Sequence, residues 1–329
     1  MVQVRLNAGD PRVDRRMEFA EIFEREGDIQ AAIEVMRGVT EFVPDWVYGW
    51  HKLGCLAQEA GDRVRAVAAF ERAVQLDPSD TLGAGVLLEV LGARAPSGQM
   101  PVAFVEALFD QYADRFDQSL VGKLGYRVPQ RLGALVSEVG QGRFSQVLDL
   151  GCGTGLSGAV FRPISDHLSG VDISDAMLRK AHIRGVYDVL SKGDIAQLPP
   201  LDRPVYDLVL AADVLIYLGD LTAVTHWVGA ALHDGGLFAF SVEAAAQTAP
   251  YVIQPSRRYA HARSYVEEIF GAAGWSILTL SHDVLRQDRG ADIWGYLCVV
   301  RRDRPVACAP VSLGEAVAVE CEGPEVSLH

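Results

Sequence analysis

Cysteine is scarce in this chain: there are five in 329 residues, and no two form a Cys-x-x-Cys pair. Scattered cysteines, odd in number, do not make a disulfide framework, and without paired spacing they do not predict a structural zinc site. We therefore expect no bound metal and a reducing, cytoplasmic location. The cysteines are Cys55, Cys152, Cys298, Cys308 and Cys321.

Long apolar runs are also missing. The most apolar stretch, Val205–Leu218, has 14 residues and includes Asp207 and Asp213. It is therefore too short and too charged to cross a bilayer. Residues 1–16 contain no apolar core of the kind that a secretory signal has. The sequence thus predicts neither a membrane span nor a secretory leader.

Basic residues are fewer than acidic ones. Lys and Arg total 30 against 43 Asp and Glu, for a net charge of −13, and no five basic residues are consecutive. Such a surface repels nucleic-acid phosphates and anionic lipid headgroups. We therefore expect neither nucleic acid nor a membrane surface among the partners.

The chain does have the length and apolar content for more than one folded unit. It is 49% hydrophobic and 22% charged, which is typical of a globular protein, and its length allows about two domains. We place a helical domain at residues 1–95 and a second domain at 101–304. Residues 305–329 are acidic and lack periodicity, so they are predicted to be a flexible tail.

An internal repeat marks the first domain. Gly27-Asp28 recurs 34 residues later as Gly61-Asp62, among small and large residues that recur at the same spacing. This pattern resembles the tetratricopeptide repeat, in which each unit is a pair of antiparallel helices. Only two repeats are clear, so residues 81–92 are expected to cap them or to dock them on the second domain. The repeats either bind a protein partner or brace that domain.

The second domain alternates short apolar runs with helical segments between residues 146 and 242. This alternation predicts βαβ units and a mostly parallel sheet. Two further runs, 275–285 and 291–300, are close enough in sequence to form an antiparallel pair at one sheet edge. Ahead of the sheet, residues 95–101 are predicted to be a linker and residues 102–124 a helix.

The strongest local motif is Val147–Gly155 (VLDLGCGTG), a strand followed by a glycine turn and the start of a helix. Such a loop lies at the carboxyl end of a strand, where cofactors bind in Rossmann-like sheets. A dinucleotide site has Gly-x-Gly-x-x-Gly, but Leu156 stands here in place of the third glycine. Asp149 would repel a pyrophosphate, whereas it can accept hydrogen bonds from an ammonium group. The loop therefore favours a cofactor with an amino-acid end.

The motif resembles the first motif of class I S-adenosylmethionine-dependent methyltransferases, and later segments resemble that family in order. The resemblance implies an α/β fold with a Rossmann-like, mostly parallel seven-stranded sheet and an antiparallel edge. It implies that Asp172 binds the ribose hydroxyls and that Asp194 and Ile195 contact the adenine. The cofactor is then S-adenosylmethionine, with S-adenosylhomocysteine as product. The expected cofactor contacts are Asp149, Gly151, Cys152, Gly153, Gly155, Asp172, Ile173, Met177, Asp194, Ile195 and Ala212.

Substrate-side candidates follow the fourth and fifth strands. The segment PSRRYAH is basic and aromatic within an acidic chain. Its Arg257 and Arg258 either clamp a carboxylate or phosphate or pair with surface acids, and His261 is suited to act as a base near neutral pH. Tyr217, after the fourth strand, is a second catalytic candidate. Tyr112, ahead of the sheet, either closes the site or is a core aromatic.

These observations predict a methyltransferase that moves a methyl group, by in-line displacement, to a small anionic metabolite. Transfer from a sulfonium mainly requires alignment and exclusion of water, so no catalytic dyad is needed. Two alternatives stay open: a protein methyltransferase whose substrate is recruited by the repeats, and an inactive cofactor-binding scaffold. A nicotinamide oxidoreductase is disfavoured by Asp149 and Leu156.

Overall fold

The computed structural model describes residues 8–303, other than 119–121, 123, 140, 141, 247, 248, 273 and 289. The predicted tail, residues 305–329, lies outside the described residues, as do two of the five cysteines. Within the described part, no helix combines the length and the apolar composition that a crossing of the bilayer demands.

The first helices form the two pairs that the repeat predicts. Gly27 and Gly61 adopt left-handed φ angles of 82° and 76°, which end the first helix of each pair. Asp28 and Asp62 then cap the second helix, because each side chain accepts a hydrogen bond of 3.0 Å from the backbone three residues later. These helices are α1 (Pro11–Arg25), α2 (Ile29–Phe42), α3 (Val47–Glu59) and α4 (Arg63–Leu76).

A fifth helix, α5 (Ala84–Val90), performs both roles expected of residues 81–92. Its Leu87 packs in an apolar cluster with the second repeat. Its Val86 joins a different cluster, which includes Tyr217 of the second domain. The repeats are therefore docked on the second domain by a shared apolar contact.

The predicted linker is packed against the second domain. Residues 97–101, here named the bridging strip, run alongside the segment that contains Tyr217 and Gly219. The Gly98 carbonyl accepts a hydrogen bond from the Gly219 N–H at 2.8 Å, and the Met100 N–H donates to the Tyr217 carbonyl at 3.0 Å. The strip thus forms part of the structure that supports Tyr217.

Helix α6 (Val102–Tyr112) is shorter than the predicted helix, which extended to residue 124. The chain turns after Tyr112, and the turn places the Phe116 ring edge-on to the rings of Phe109 and Tyr112, with centroids 6.1 and 6.2 Å apart. The turn spans residues 113–115, and Phe116 and Asp117 are helical again. Another helix, α7 (Val128–Glu138), leads into the sheet.

One nine-stranded sheet organises the second domain. Its strands are β1 (Phe144–Leu150), β2 (Ser165–Asp172), β3 (Val189–Lys192), β4 (Tyr206–Ala211), β5 (Leu232–Ala244), β6 (Tyr251–Ile253), β7 (Tyr259–His261), β8 (Trp275–Asp288) and β9 (Ala291–Arg302). The order β3-β2-β1-β4-β5 is parallel, and β9 and β8 continue it as an antiparallel edge. The predicted sheet is therefore confirmed, and the hairpin of β6 and β7 adds two short strands at the end of β5.

Helices cover both faces of this sheet. Besides α7, they are α8 (Leu156–Phe161), α9 (Asp175–Arg184), α10 (Thr222–Ala231) and α11 (Arg263–Ala272). Alternate side chains of a strand point to opposite faces. Along β4, Val209 packs in the apolar layer of α10 and α11, whereas Leu208 packs in the layer of α7 and α8. Because β1 lies where the chain crosses between the halves of the sheet, the loop after it opens into a crevice at the carboxyl ends of the strands.

Candidate active site

A cavity of about 520 Å³ lies at the carboxyl ends of β1 to β4, with α6 and the bridging strip forming part of its wall. Its lining mixes aromatic and aliphatic side chains with a few acids and arginines, as is typical of small-molecule sites. The cavity brings together most of the predicted site residues, namely Tyr112, Gly151, Cys152, Gly153, Asp172, Ile173, Asp194, Ile195, Ala212, Tyr217, Arg257 and Arg258.

The glycine loop, residues 151–155, allows close approach to its backbone. Gly151 and Gly153 have left-handed φ angles of 68° and 53°, a region that residues with a Cβ rarely adopt. A Cβ on Gly151 would lie 2.3 Å from Val214, whereas a Cβ on Gly153 would meet only a carbon of the Phe116 ring, at the ordinary contact distance of 3.9 Å. Burial raises the pKa of the Cys152 thiol well above its ordinary value, so this side chain packs as a small apolar group.

Asp172, at the end of β2, is oriented by the backbone around it. Its carboxylate accepts hydrogen bonds from the N–H groups of Gly153 at 2.8 Å and Ser174 at 2.9 Å. Burial raises its pKa, and these backbone donors oppose that effect. A carboxylate offers about four lone-pair directions, so acceptor capacity is left for a ligand. That capacity fits the two hydroxyl groups of a ribose.

Asp194, after β3, has an unsatisfied oxygen. Its Oδ1 accepts a hydrogen bond from the Ala196 N–H at 2.9 Å, whereas Oδ2 is buried without a partner among the described residues. A buried acceptor that lacks a donor costs ~1–3 kcal/mol, and the exocyclic amine of adenine is a suitable donor. Asp172 and Asp194 therefore fit the nucleoside of the expected cofactor. With Gly151 and Gly153 they are here named the cofactor wall.

Two arginines bring positive charge to the cavity. Arg257 and Arg258 reach it from the turn between β6 and β7, beside Tyr217, and these three residues are here named the arginine wall. Burial raises the pKa of the Tyr217 hydroxyl, and the charge of Arg258 opposes that effect. Arg258 lies 3.8 Å from the Asp288 carboxylate, which is a loose, partly exposed ion pair. Arg258 is also within hydrogen-bonding reach of the Tyr217 hydroxyl. Because a guanidinium has several N–H donors, others remain for an anion in the cavity.

Arg257 links the arginine wall to the repeats. Its backbone is left-handed, with a φ of 59°, and its guanidinium lies 5.4 Å from the centre of the Phe104 ring in α6. Burial, together with the charge of Arg257, lowers the pKa of His51 in α3 to about 4. The first domain is therefore close enough to the site to share its electrostatics.

Three of the predicted cofactor contacts do not line the cavity. Asp149 is buried, its Oδ2 accepts a hydrogen bond from the Tyr187 hydroxyl at 2.6 Å, and burial raises its pKa to about 7. Its other oxygen, Oδ1, is buried without a hydrogen-bond partner among the described residues. Gly155 is the N-cap of α8, and Met177 is fully buried in α9.

The structure also contradicts the prediction that His261 acts as a base. Its ring is fully buried outside the cavity wall, and Nε2 donates to the carbonyls of Leu218 and Gly219, at 2.9 and 3.1 Å. Burial lowers its pKa to about 4, so the ring is neutral near neutral pH. It stacks on Tyr265 with centroids 6.0 Å apart. His261 therefore anchors β7 to the segment after Tyr217.

Sequence reasoning missed a buried ion group beside the cavity. Arg286, on β8, is fully buried and pairs with Asp213 at 2.6 Å and with Glu243. Asp213 follows β4 and lines the cavity. Like Asp172, Asp213 is a carboxylate at the carboxyl end of a parallel strand. The sequence therefore contained enough information to predict it as a site residue. Arg286 lies inside a strand, and no local pattern marks it.

Two family models match the chain, one in each part of the structure. Residues 148–238, from β1 into β5, match a methyltransferase domain. Residues 47–80, which contain α3 and α4, match a tetratricopeptide repeat. The resemblances seen in the sequence are therefore confirmed for both parts.

Two relatives are similar to part of this chain. A malonyl-(acyl-carrier protein) O-methyltransferase of Hamiltonella defensa subsp. Acyrthosiphon pisum is 29% identical over 139 residues, which are 42% of this chain and 51% of the relative. An uncharacterized methyltransferase of Bacillus pumilus is 29% identical over 140 residues, 41% of this chain and 65% of the relative. The chain thus spans between about half and two thirds of these relatives.

Solved structures show the same fold. The crystal structure of the (4+2)-cyclase SpnF has a TM-score of 0.50 and 19% identity to this chain, covering 64% of this chain and 98% of that structure. At this identity the likeness concerns the fold alone, and the chemistry has to be argued from the site.

Proposed function

We propose that this chain, which carries a methyltransferase domain over residues 148–238 and a tetratricopeptide repeat over residues 47–80, transfers a methyl group from S-adenosylmethionine to a small anionic acceptor. One observation carries the proposal: the cofactor wall and the arginine wall line a single cavity. In the sheet order, the ends of β2 and β3 are separated from the β6–β7 hairpin by β1, β4 and β5. The two walls supply the two recognition tasks that such a transfer needs.

The cofactor wall supports the choice of cofactor. S-adenosylmethionine supplies, when bound, a methyl group activated by a sulfonium. Asp172 would hold the ribose hydroxyls, Asp194 the adenine amine, and the backbone at Gly153, which lacks a Cβ, would allow the ligand close contact. The rings of Tyr112 and Phe116 line the same cavity. Their apolar surface helps to exclude water, which strengthens the electrostatic contacts inside.

The arginine wall supports an anionic acceptor. A guanidinium binds a carboxylate through two parallel hydrogen bonds, which fixes orientation as well as charge. Arg258 is held only loosely by Asp288. The name of the Hamiltonella relative describes O-methylation of a malonyl group on a carrier protein. A malonyl group attached at one end has a free carboxylate, which is the group that O-methylation modifies, so that named substrate agrees with an acceptor that is anionic before transfer.

The contacts of the repeats favour bracing over recruitment of a protein substrate. The Glu89 carboxylate of α5 is buried, and it accepts hydrogen bonds from the Ser97 N–H and the Tyr259 hydroxyl, both at 3.1 Å. Ser97 begins the bridging strip, and Tyr259 immediately follows Arg258. In this proposal the end of the repeat array holds the arginine wall in place.

Calorimetric titration of the full chain tests the cofactor class. We expect S-adenosylhomocysteine to bind and NAD and NADP not to bind. No heat with S-adenosylhomocysteine, or a preference for a nicotinamide cofactor, would contradict the proposal.

Methyl transfer from radiolabelled S-adenosylmethionine tests the acceptor class. The panel consists of small carboxylic acids, hydroxy acids, amino acids and malonyl coenzyme A, with the neutral ester or amide of each as its partner. Arg258→Met should bind S-adenosylhomocysteine normally and lose the preference for the acids. The matched control is Arg143→Met, because Arg143 is exposed and pairs with Asp166 away from the cavity. Equal use of acids and neutral partners by the unmodified chain would contradict an anionic acceptor.

A further inference from the structure

Asp213 lies on the far side of the glycine loop from the nucleoside-binding carboxylates. Along the carboxyl edge, Asp194 follows β3, Asp172 ends β2, the glycine loop follows β1 and Asp213 follows β4. Neighbouring strands are ~4.8 Å apart. A ligand whose nucleoside lies at Asp172 and Asp194 therefore crosses the glycine loop and brings its other end to Asp213.

Several independent constraints fix Asp213. Its φ of 57° is left-handed, a conformation that costs free energy in a residue with a Cβ and that persists only where the surroundings enforce it. Its N–H donates to Ser241 Oγ at 2.9 Å. Its Oδ1 accepts a hydrogen bond from Arg286 at 2.6 Å, and Arg286 is in turn paired with Glu243.

This ion group places two carboxyl groups around one guanidinium beside the cavity. Arg286 is fully buried and pairs with Asp213 and Glu243. Burial raises the pKa of the Glu243 carboxyl, and the charge of Arg286 opposes that effect. The Asp213 side chain is 12% exposed and lines the cavity. Its second oxygen is not used by Arg286. A partly desolvated carboxylate of this kind binds a hydrogen-bond donor or a cation strongly.

We propose that Asp213 faces the position of methyl transfer and accepts a hydrogen bond from a hydroxyl or amine of the acceptor, while Arg258 binds the anionic group of the same molecule. Arg286 is the positioning residue that aims Asp213. The inference rests on the proposed function and narrows its acceptor class. The acceptor is a small molecule with an anionic group and, on a different atom, the hydroxyl or amine that is methylated.

Two cofactor analogues that differ only at the position of the transferred methyl group test the role of Asp213. The acceptor need not be known. S-adenosylhomocysteine has a neutral sulfur there, whereas sinefungin has a protonated amine in place of the transferred methyl. We expect the full chain to bind sinefungin ~10-fold more tightly, as a hydrogen bond between charged groups allows. Asp213→Asn is nearly isosteric. It should bring the ratio of the two affinities close to one, while the affinity for S-adenosylhomocysteine stays within about twofold.

Further variants separate a local effect from a general one. Asp234→Asn makes the same change at an exposed residue near the opposite end of β5, and it should keep the preference for sinefungin. Arg286→Met, where circular dichroism shows that it folds, should lose the preference as Asp213→Asn does. Retention of the preference in Arg286→Met would overturn the positioning role.

The outcomes distinguish this inference from the proposed function. If the unmodified chain binds neither ligand, the proposed function and this inference both fail. If it binds both but Asp213→Asn keeps the preference for sinefungin, the inference alone fails. In the acceptor panel, methylation of hydroxy or amino acids supports the acceptor class, and methylation confined to plain carboxylic acids overturns it.

Discussion

The two walls of the cavity differ in how the chain builds them. The cofactor wall comes from three strand ends between residues 151 and 194, and its geometry is set by backbone hydrogen bonds within one sheet edge. The arginine wall is supported by the bridging strip near residue 98, by the turn before β7 and by β8. The first wall is therefore a local property of the sequence, whereas the second exists only when distant segments meet. Cofactor class can be recognised from a motif, but acceptor preference depends on tertiary packing.

The largest effect is expected where tertiary pairing supports the acceptor side. Arg286→Met should lower the free energy of unfolding by ~3–5 kcal/mol, because Asp213 and Glu243 would be left as buried charges without their partner. Urea denaturation followed by tryptophan fluorescence measures the loss. Combining it with Asp213→Asn and Glu243→Gln should restore most of the stability. A loss in free energy of unfolding below about 1 kcal/mol in Arg286→Met would show that this region does not depend on the ion group of Arg286, Asp213 and Glu243.

Asp149, which lies in β1 just ahead of the glycine loop, gives a prediction for how stability depends on pH. Its pKa is about 7 in the fold against an ordinary 3.8, so the folded state holds a proton that the unfolded state releases. Its contribution to stability is full below pH of about 4 and is lost as the pH rises to about 7. Asp149→Asn removes this titration. Relative to the unmodified chain, its free energy of unfolding should rise by up to ~1.4 kcal/mol per pH unit across that window.

The measurement is urea denaturation of both proteins at intervals between pH 4.5 and 8. Above pH of about 7 the difference between them should become constant. A difference that is the same at every pH would show that Asp149 is ionised in the fold throughout.

A smaller effect is expected from a single contact of the cofactor wall. Asp172→Ala should weaken binding of S-adenosylhomocysteine by ~1–3 kcal/mol, because the ribose hydroxyls lose their acceptor. Calorimetric titration measures the change. Asp175→Ala is the control, since Asp175 lies nearby in α9 with its side chain 56% exposed and paired with Lys192. Unchanged affinity in Asp172→Ala would contradict the proposal that Asp172 binds the ribose hydroxyls.

The smallest effect is expected at the junction between the repeats and the arginine wall. Tyr259→Phe should lower the free energy of unfolding by ~1 kcal/mol, because one buried oxygen of Glu89 loses its donor. Tyr206→Phe, at a half-buried tyrosine on the opposite end of the sheet, is the control in the same urea experiment. If the two variants lose equal stability, the hydroxyl of Tyr259 contributes nothing specific to this junction.

Periodic and local features of the fold could be predicted from the sequence. The 34-residue period located both helix pairs, and the motif VLDLGCGTG located β1 and the loop after it. Asp172 and Asp194 were placed correctly in the cavity because each lies at the end of a strand of a parallel sheet, and all such ends lie at one edge. These predictions succeeded because they require only neighbours in sequence.

Other features could not be predicted, because they depend on which side chain the tertiary structure buries. His261 and Arg258 are neighbours in a basic segment, yet one is fully buried and the other lines the cavity. The linker composition around Met100 gave no sign that this residue is only 3% exposed. Arg286 stands in β8, whose sequence WSILTLSHDVLRQD has no regular alternation that would mark a buried charge. Its burial depends on the two acids that meet it, which come from the end of β4 and from β5.

The bridging strip has a consequence for where the polypeptide can be divided. A boundary at residue 101 looks convenient in the sequence, but a chain that starts there lacks the backbone pairing of Met100 with Tyr217 and the cover that Val86 provides. We expect such a fragment to keep the backbone contacts of the cofactor wall and to lose the support of the arginine wall. Acceptor preferences measured on that fragment would differ from those of the full chain. Conversely, exchanging the repeats between related proteins is expected to change acceptor preference without substitution of any residue that lines the cavity.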